Sequence, residues 1–174
     1  MPQNNGTLNG VLFTQTADVT VANTAAETPL NGTGVGSLAL PVNFLQIGKT
    51  VRVRARGYIS DTGTPNFTAK IKFGSTVIMS TGTVAFAGTI SNNQWVIEGV
   101  ITCRTTGASG TVAAQGSFYE DPDNRRGMTN TATVTVDTTA TQAITVTFQW
   151  GAADPANTIT CTNLTVDAVG PARA

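Results

Sequence analysis

The sequence predicts an all-β protein, a single antiparallel sandwich or barrel of nine or ten short strands. Three observations predict it. Apolar residues recur at every second position, and no stretch shows a convincing helical period. The alternating runs are separated by clusters of Gly, Pro, Asn and Asp, which break strands and form turns. The composition is that of a pleated surface: 32 threonines, whose β-branch suits a strand, and 18 glycines for turns and close approaches. At 174 residues the chain is long enough for one domain with a substantial core.

Each element follows from the chain in order. Gly10–Ala17 and Val19–Asn23 read as a first strand interrupted near Asp18. Gly36–Leu40 is a short strand stopped by Pro41, which has no N–H for a ladder. In Thr50–Ile59, TVRVRARGYI, the residues Val51, Val53, Ala55, Gly57 and Ile59 share one face and Arg52, Arg54 and Arg56 the other. The turn SDTGTPN leads to Phe67–Phe73, where Phe67, Ala69, Ile71 and Phe73 oppose Lys70 and Lys72. Gly74–Ser75 makes a tight hairpin into Thr76–Ser80. Gln94–Arg104 and Thr111–Glu120 form a second hairpin around TTGASG, with Trp95, Ile97, Gly99, Ile101 and Cys103 on one face. Thr131–Asp137, Ala143–Trp150 and Asn157–Val169 close the domain. In the last run Ile159 and Cys161 have one parity and Leu164 and Val166 the other, which predicts a β-bulge near Thr162–Asn163. The sandwich spans residues 10–169. Residues 1–9 are expected to form a flexible polar arm and residues 170–174 a loose tail.

Composition narrows the chemistry. Charged residues are 11% of the chain, and ten cations balance ten acids. This argues against a general nucleic-acid binder, which carries a basic excess. There is no histidine, so the usual general base and commonest metal ligand are both missing. Cys103 and Cys161 form no CxxC and fall in alternating strands, so small buried thiols are expected, with a disulfide between neighbouring strands as the lesser reading. The N-terminus has no apolar segment of a signal peptide, and no run approaches a membrane span. No cofactor is expected, and no membrane partner.

Two groups of charge remain as candidates. Glu120, Asp121 and Asp123 cluster in YEDPDNRRGM, whose turn residues predict a solvent-exposed loop. A calcium site on Asp121, Asp123 and Asn124 lacks the ligand spacing of an EF-hand. A glycan hydrolase using carboxylates alone needs only two acids and stays open as an alternative. The stronger feature is the arginine row. Arg52, Arg54 and Arg56 stand about 6.6 Å apart in turn, and Phe67–Phe73 is a natural antiparallel neighbour through its turn, so Lys70 and Lys72 would extend the row. The bland reading is a solvated face with scattered ion pairs, for example to Glu98. The functional reading is contact with acids on another subunit or a larger assembly, which the planar fork of arginine suits.

The segments VANTAAETPLNGTGVGSLALPVNFLQIGKTVRVRARGYISDTGTP, WVIEGVITCRTTGASGTVAAQGSFYE and ITVTFQWGAADPANTITCTNLTVDAV resemble small β-sandwich structural proteins of tailed bacteriophages: capsid decoration (cement) proteins and the head domains of fibres. The resemblance implies a jelly-roll-like fold and a homotrimer. It implies a virion protein on the capsid surface that binds the major capsid protein and bridges capsomers, assembled in the host cytoplasm. No catalytic motif comes with it. The absence of an attached shaft favours decoration over a receptor-binding fibre head, whose loops Ser60–Asn66 and Glu120–Met128 would bind a host glycan. Ala113, Ala114 and Gly116 would allow subunits to approach closely, and Met1–Asn9 is a candidate capsid-binding arm.

Overall fold

A computed structural model describes residues 10–120, 124–128 and 130–170. Every regular element among them is a strand. In chain order these are β1 (Gly10–Gln15), β2 (Val19–Ala22), β3 (Thr28–Pro29), β4 (Gly34–Gly36), β5 (Ala39–Leu40), β6 (Thr50–Ser60), β7 (Asn66–Phe73) and β8 (Thr76–Ser80). There follow β9 (Val84–Ala85), β10 (Asn93–Thr105), β11 (Gly110–Glu120), β12 (Asn124–Gly127), β13 (Val134–Val136), β14 (Gln142–Trp150) and β15 (Thr158–Val169). They form two antiparallel sheets packed as a β-sandwich in one domain, the predicted class. The larger sheet runs β12-β11-β10-β6-β15-β1-β4, with β13 on β11 and β2 on β15; the smaller runs β3-β14-β7-β8, with β5 on β14 and β9 on β7.

The two-residue rhythm fills the space between the sheets. Val51, Val53, Ala55 and Ile59 of β6 face Phe67, Ala69, Ile71 and Phe73 of β7 and Ile144, Val146, Phe148 and Trp150 of β14 in one buried cluster. The aromatic rings gather toward one end. Phe67 stacks on Phe86 at 4.3 Å and on Phe148 at 5.2 Å, Phe118 lies 4.9 Å from Phe67, and Trp150 meets Phe148 edge-on at 5.0 Å.

The predicted bulge in the last strand is present: the β15 register on β6 shifts between Cys161 and Asn163. It explains Gly57. The Thr160 carbonyl occupies the space that a side chain at Gly57 would need, since an added Cβ would lie 1.9 Å from that oxygen. The Trp95 indole then donates to the same carbonyl at 3.1 Å. Cys103 and Cys161 are both buried free thiols, and burial pushes the Cys161 thiol up to about 11.

Four expectations are corrected. β7 does not neighbour β6. Both edges of β6 are occupied, by β10 and β15, so the 61–65 turn carries the chain across to the other sheet. The segment read as a solvent loop after Tyr119 is instead partly an edge strand: Asn124–Gly127 pairs with β11, and Glu120 and Met128 are buried. Three two- to four-residue strands, β3, β9 and β12, were not anticipated, being too short to show a period. Finally, Gly116 and Ala114 lie in the inward row of β11. Gly116 stands opposite Gly99, and a Cβ on either would come within 3 Å of the Met79 sulfur from the other sheet. The two glycines admit a core side chain, and of Ala113, Ala114 and Gly116 only Ala113 faces outward, where a neighbouring subunit could approach. The arm and most of the tail lie outside the described residues.

Candidate functional site: the outer face of the larger sheet

β6 lies inside the larger sheet, paired on both sides, and its outward residues lie along the middle of that outer face. Arg52, Arg54 and Arg56 are exposed, with the intervening Val51, Val53 and Ala55 completely buried. Register sets their neighbours. Arg52 stands between Val100 and Asp167, Arg54 between Glu98 and Thr165, and Arg56 between Val96 and Asn163. The pairs are long: Arg52 Nη1 is 3.9 Å from Asp167 Oδ2 and Arg54 Nε is 3.7 Å from Glu98 Oε1. Arg56 makes no ion pair among the described residues.

Lys70 and Lys72 do not extend this row. They lie on the outer face of the smaller sheet, on the far side of the core. There they close on one acid: Lys70 Nζ is 2.5 Å from Glu27 Oε2 and Lys72 Nζ 3.1 Å from Glu27 Oε1, with the Thr147 hydroxyl donating to Oε1 at 3.0 Å. The Lys70 hydrogen bond, helped by Lys72 and Thr147, holds the Glu27 carboxyl down at about 2.

Two arginines that the sequence argument did not single out join the row instead. Arg104 sits at a register shift in β10, between Cys103 and Thr105, and lines a surface groove of about 330 Å³ with Val100, Thr102, Ala113, Gln115 and residues 130–133. Arg125 of β12 pairs with Tyr119, which pairs with Val96, so it belongs to the same face. The strands of this face therefore carry five arginines against Glu98 and Asp167, leaving three positive charges on a chain of net zero. The rest of the sequence holds the other five cations and eight acids. The same face exposes apolar side chains: Val100 at 47% beside Arg52, Tyr58 at 43% beyond Arg56 on β6, and Val11 at 68% and Val35 at 72% on β1 and β4, toward the edge away from the arginines. Strand parity was the signal that could have found Arg104, which continues the outward series Glu98, Val100, Thr102 of β10.

The acids behave differently from expectation. Glu120 continues the inward row of β11 and is 1% exposed; Asp61 continues the inward row of β6 and is 3% exposed. Asp61 Oδ1 accepts from the Ile90 N–H at 3.1 Å, and Glu120 Oε1 accepts from Asn124 Nδ2 at 3.0 Å. Burial pushes both carboxyls above their usual range, and Asp61 adds to the rise of Glu120. Asp121 and Asp123 lie outside the described residues. Among the described residues no three His, Cys, Asp or Glu side chains converge as metal ligands.

Fold and site together define an antiparallel β-sandwich with one arginine-rich sheet face. No protein-family model, no curated protein and no solved structure matches the chain.

Proposed function

We propose that this chain is a structural docking protein, and that it works as a homotrimeric capsid decoration (cement) protein on a virion. The observation that carries the reading is the outer face of the larger sheet: arginine without lysine on its strands, a surplus of three positive charges there, and exposed valines on the same face. Arginine pairs carboxylates with a planar fork, and its guanidinium is less strongly hydrated than ammonium, so it suits contacts that lose water. Val100, beside Arg52, supplies apolar area within such a contact. The partner surface is acidic, on the capsid shell or on the next copy of the chain. The sequence resemblance to phage decoration proteins supports the shell, and many weak contacts per trimer add up through multivalency.

Replacing Arg52, Arg54 and Arg56 together by Gln tests this. Shells from particles that carry the chain are stripped, re-mixed with each variant, and occupancy is measured across a salt series. At least a tenfold weaker association and a shallower salt dependence are expected. Unchanged occupancy with an unchanged salt slope would refute the reading.

A second reading, a receptor-binding fibre head, draws support from a separate observation. The loop after β6 and the segment after Tyr119 meet at one end of the sandwich, where Asp61 acts on Glu120. Copy number separates the two: hundreds of chains per particle favour decoration, a few dozen at most a fibre.

A further inference from the structure

The same end of the sandwich holds three buried side-chain atoms with no hydrogen-bond partner among the described residues: Asp61 Oδ2, Glu120 Oε2 and Trp150 Nε1. They lie around one aromatic cluster. Trp150 is 5.8 Å from Phe86, Phe86 stacks on Phe67, Phe67 contacts Phe118, and Glu120 is two residues beyond Phe118 on β11. Glu120 also stands directly opposite Trp95. Asp61 fastens the facing loop through two bonds, its own N–H to the Ile90 carbonyl at 3.0 Å and its carboxylate to the Ile90 N–H. Glu120 fastens β12 through Asn124.

Neither carboxyl has an ion pair among the described residues. Arg126 of β12 is the described cation that acts on Glu120, and its guanidinium is bonded to the Ala85 carbonyl at 3.0 Å. The groups bonded to the two carboxyls among the described residues are neutral, the Ile90 N–H and the Asn124 amide, and the indole of Trp95, whose backbone stands opposite Glu120, is already bonded to the Tyr58 and Thr160 carbonyls. Asp121 and Asp123 adjoin Glu120 in sequence, outside the described residues. Two ionised carboxylates so enclosed cost far more than two neutral ones.

We propose that Asp61 and Glu120 form a proton-operated latch: protonated, they hold the 86–92 loop and β12 against the aromatic cluster, and ionised, they draw water in and loosen this end of the sandwich. The direction follows from linkage. Groups that bind protons more tightly when folded stabilise the fold fully below the ordinary carboxylate range, and that stability is lost as pH rises toward their folded values. The chain makes the effect easy to read, because it has no histidine to titrate between about pH 5 and 7.5. Glu27, held low, acts only below that window.

The test is urea unfolding of the whole chain from pH 5 to 7.5, with hydrogen exchange corrected for intrinsic rates. The folding constant is expected to fall with rising pH by up to about tenfold per pH unit for each proton held. Exchange should quicken over 86–92 and 124–128 and stay slow at the centre of β6 and β15. The double variant Asp61→Asn, Glu120→Gln should remove the pH dependence. A flat wild-type profile, a slope that survives in the double variant, or uniform exchange would overturn the latch. If the double variant does not fold, carboxyl ¹³C resonances of the wild type decide: two that titrate above the ordinary carboxylate range support it, and none overturns it.

Discussion

The two outer faces of the sandwich carry the same sequence pattern and meet opposite fates. On β7, Lys70 and Lys72 alternate with core residues, and Glu27 closes on both from the 23–27 segment, with Thr147 adding a hydroxyl from β14. On β6, Arg52, Arg54 and Arg56 alternate with core residues in the same way. Their acids stand on neighbouring strands at ion-pair distances of 3.7 and 3.9 Å, and Arg56 has none among the described residues. One face has satisfied its charge internally. The other keeps its charge available. Alternating cations therefore mark a face as outward without saying whether the chain itself has already used it.

The largest effect comes from reversing the closed face. Glu27→Lys would leave three cations where one acid now holds two, turning the lysine face into an imitation of the arginine face with no partner. A loss of about 3 kcal/mol is expected, from the lost pair and the new repulsion together. Urea unfolding at pH 7 measures it. A loss under about 1 kcal/mol would mean that the two faces differ less than their geometry says.

The acid limb gives the next effect. Glu27 is depressed from 4.5 to about 2, so it contributes stability above its ordinary value that is lost as pH falls through about 2. The group is partly solvated, so after screening about 1–2 kcal/mol is expected at stake. Glu27→Gln should lack that limb when unfolding is followed from pH 5 to pH 2, while keeping the separate fall with rising pH proposed for Asp61 and Glu120.

Much of this was legible in the sequence, and the gaps have physical causes. Parity gave the inward and outward residues of β6, β7, β10 and β14, and the parity break in β15 gave its bulge, because a half-buried strand has no other way to satisfy both sides. What parity lacks is partner identity. It does not say that β6 already has two neighbours, so it places β7 beside β6 and its lysines on the arginine face, where the structure puts both on the other sheet. Nor does it stop at a turn residue: the inward series of β6 runs on to Asp61 and that of β11 to Glu120. Acid residues beside Pro and Gly read as solvent, and here local composition misled where the two-residue count, carried one step further, would have found both carboxyls. The same count carried past Thr102 places Arg104 on the outward face of β10, although as a single cation at a strand end it stands out less than a row does.

The smallest effect is the sharpest measure of the comparison. The Arg54–Glu98 pair has side chains 51% and 45% exposed. Such a pair gains little Coulomb energy in water and costs side-chain entropy to hold. A double-mutant cycle with Arg54→Gln and Glu98→Gln should therefore give a coupling of about 0.3 kcal/mol, and the triple Arg52, Arg54, Arg56→Gln variant should unfold within about 0.5 kcal/mol of the wild type. The same cycle on Lys70 and Glu27, whose side chains are 21% and 25% exposed at 2.5 Å, should give several times more. Weak coupling on the arginine face means that its guanidiniums can change partners at little cost to the fold, which is what a docking contact requires of them. A coupling on Arg54–Glu98 as large as that on Lys70–Glu27 would make the row a structural fixture of the free chain, and would remove the reason for assigning it to a partner.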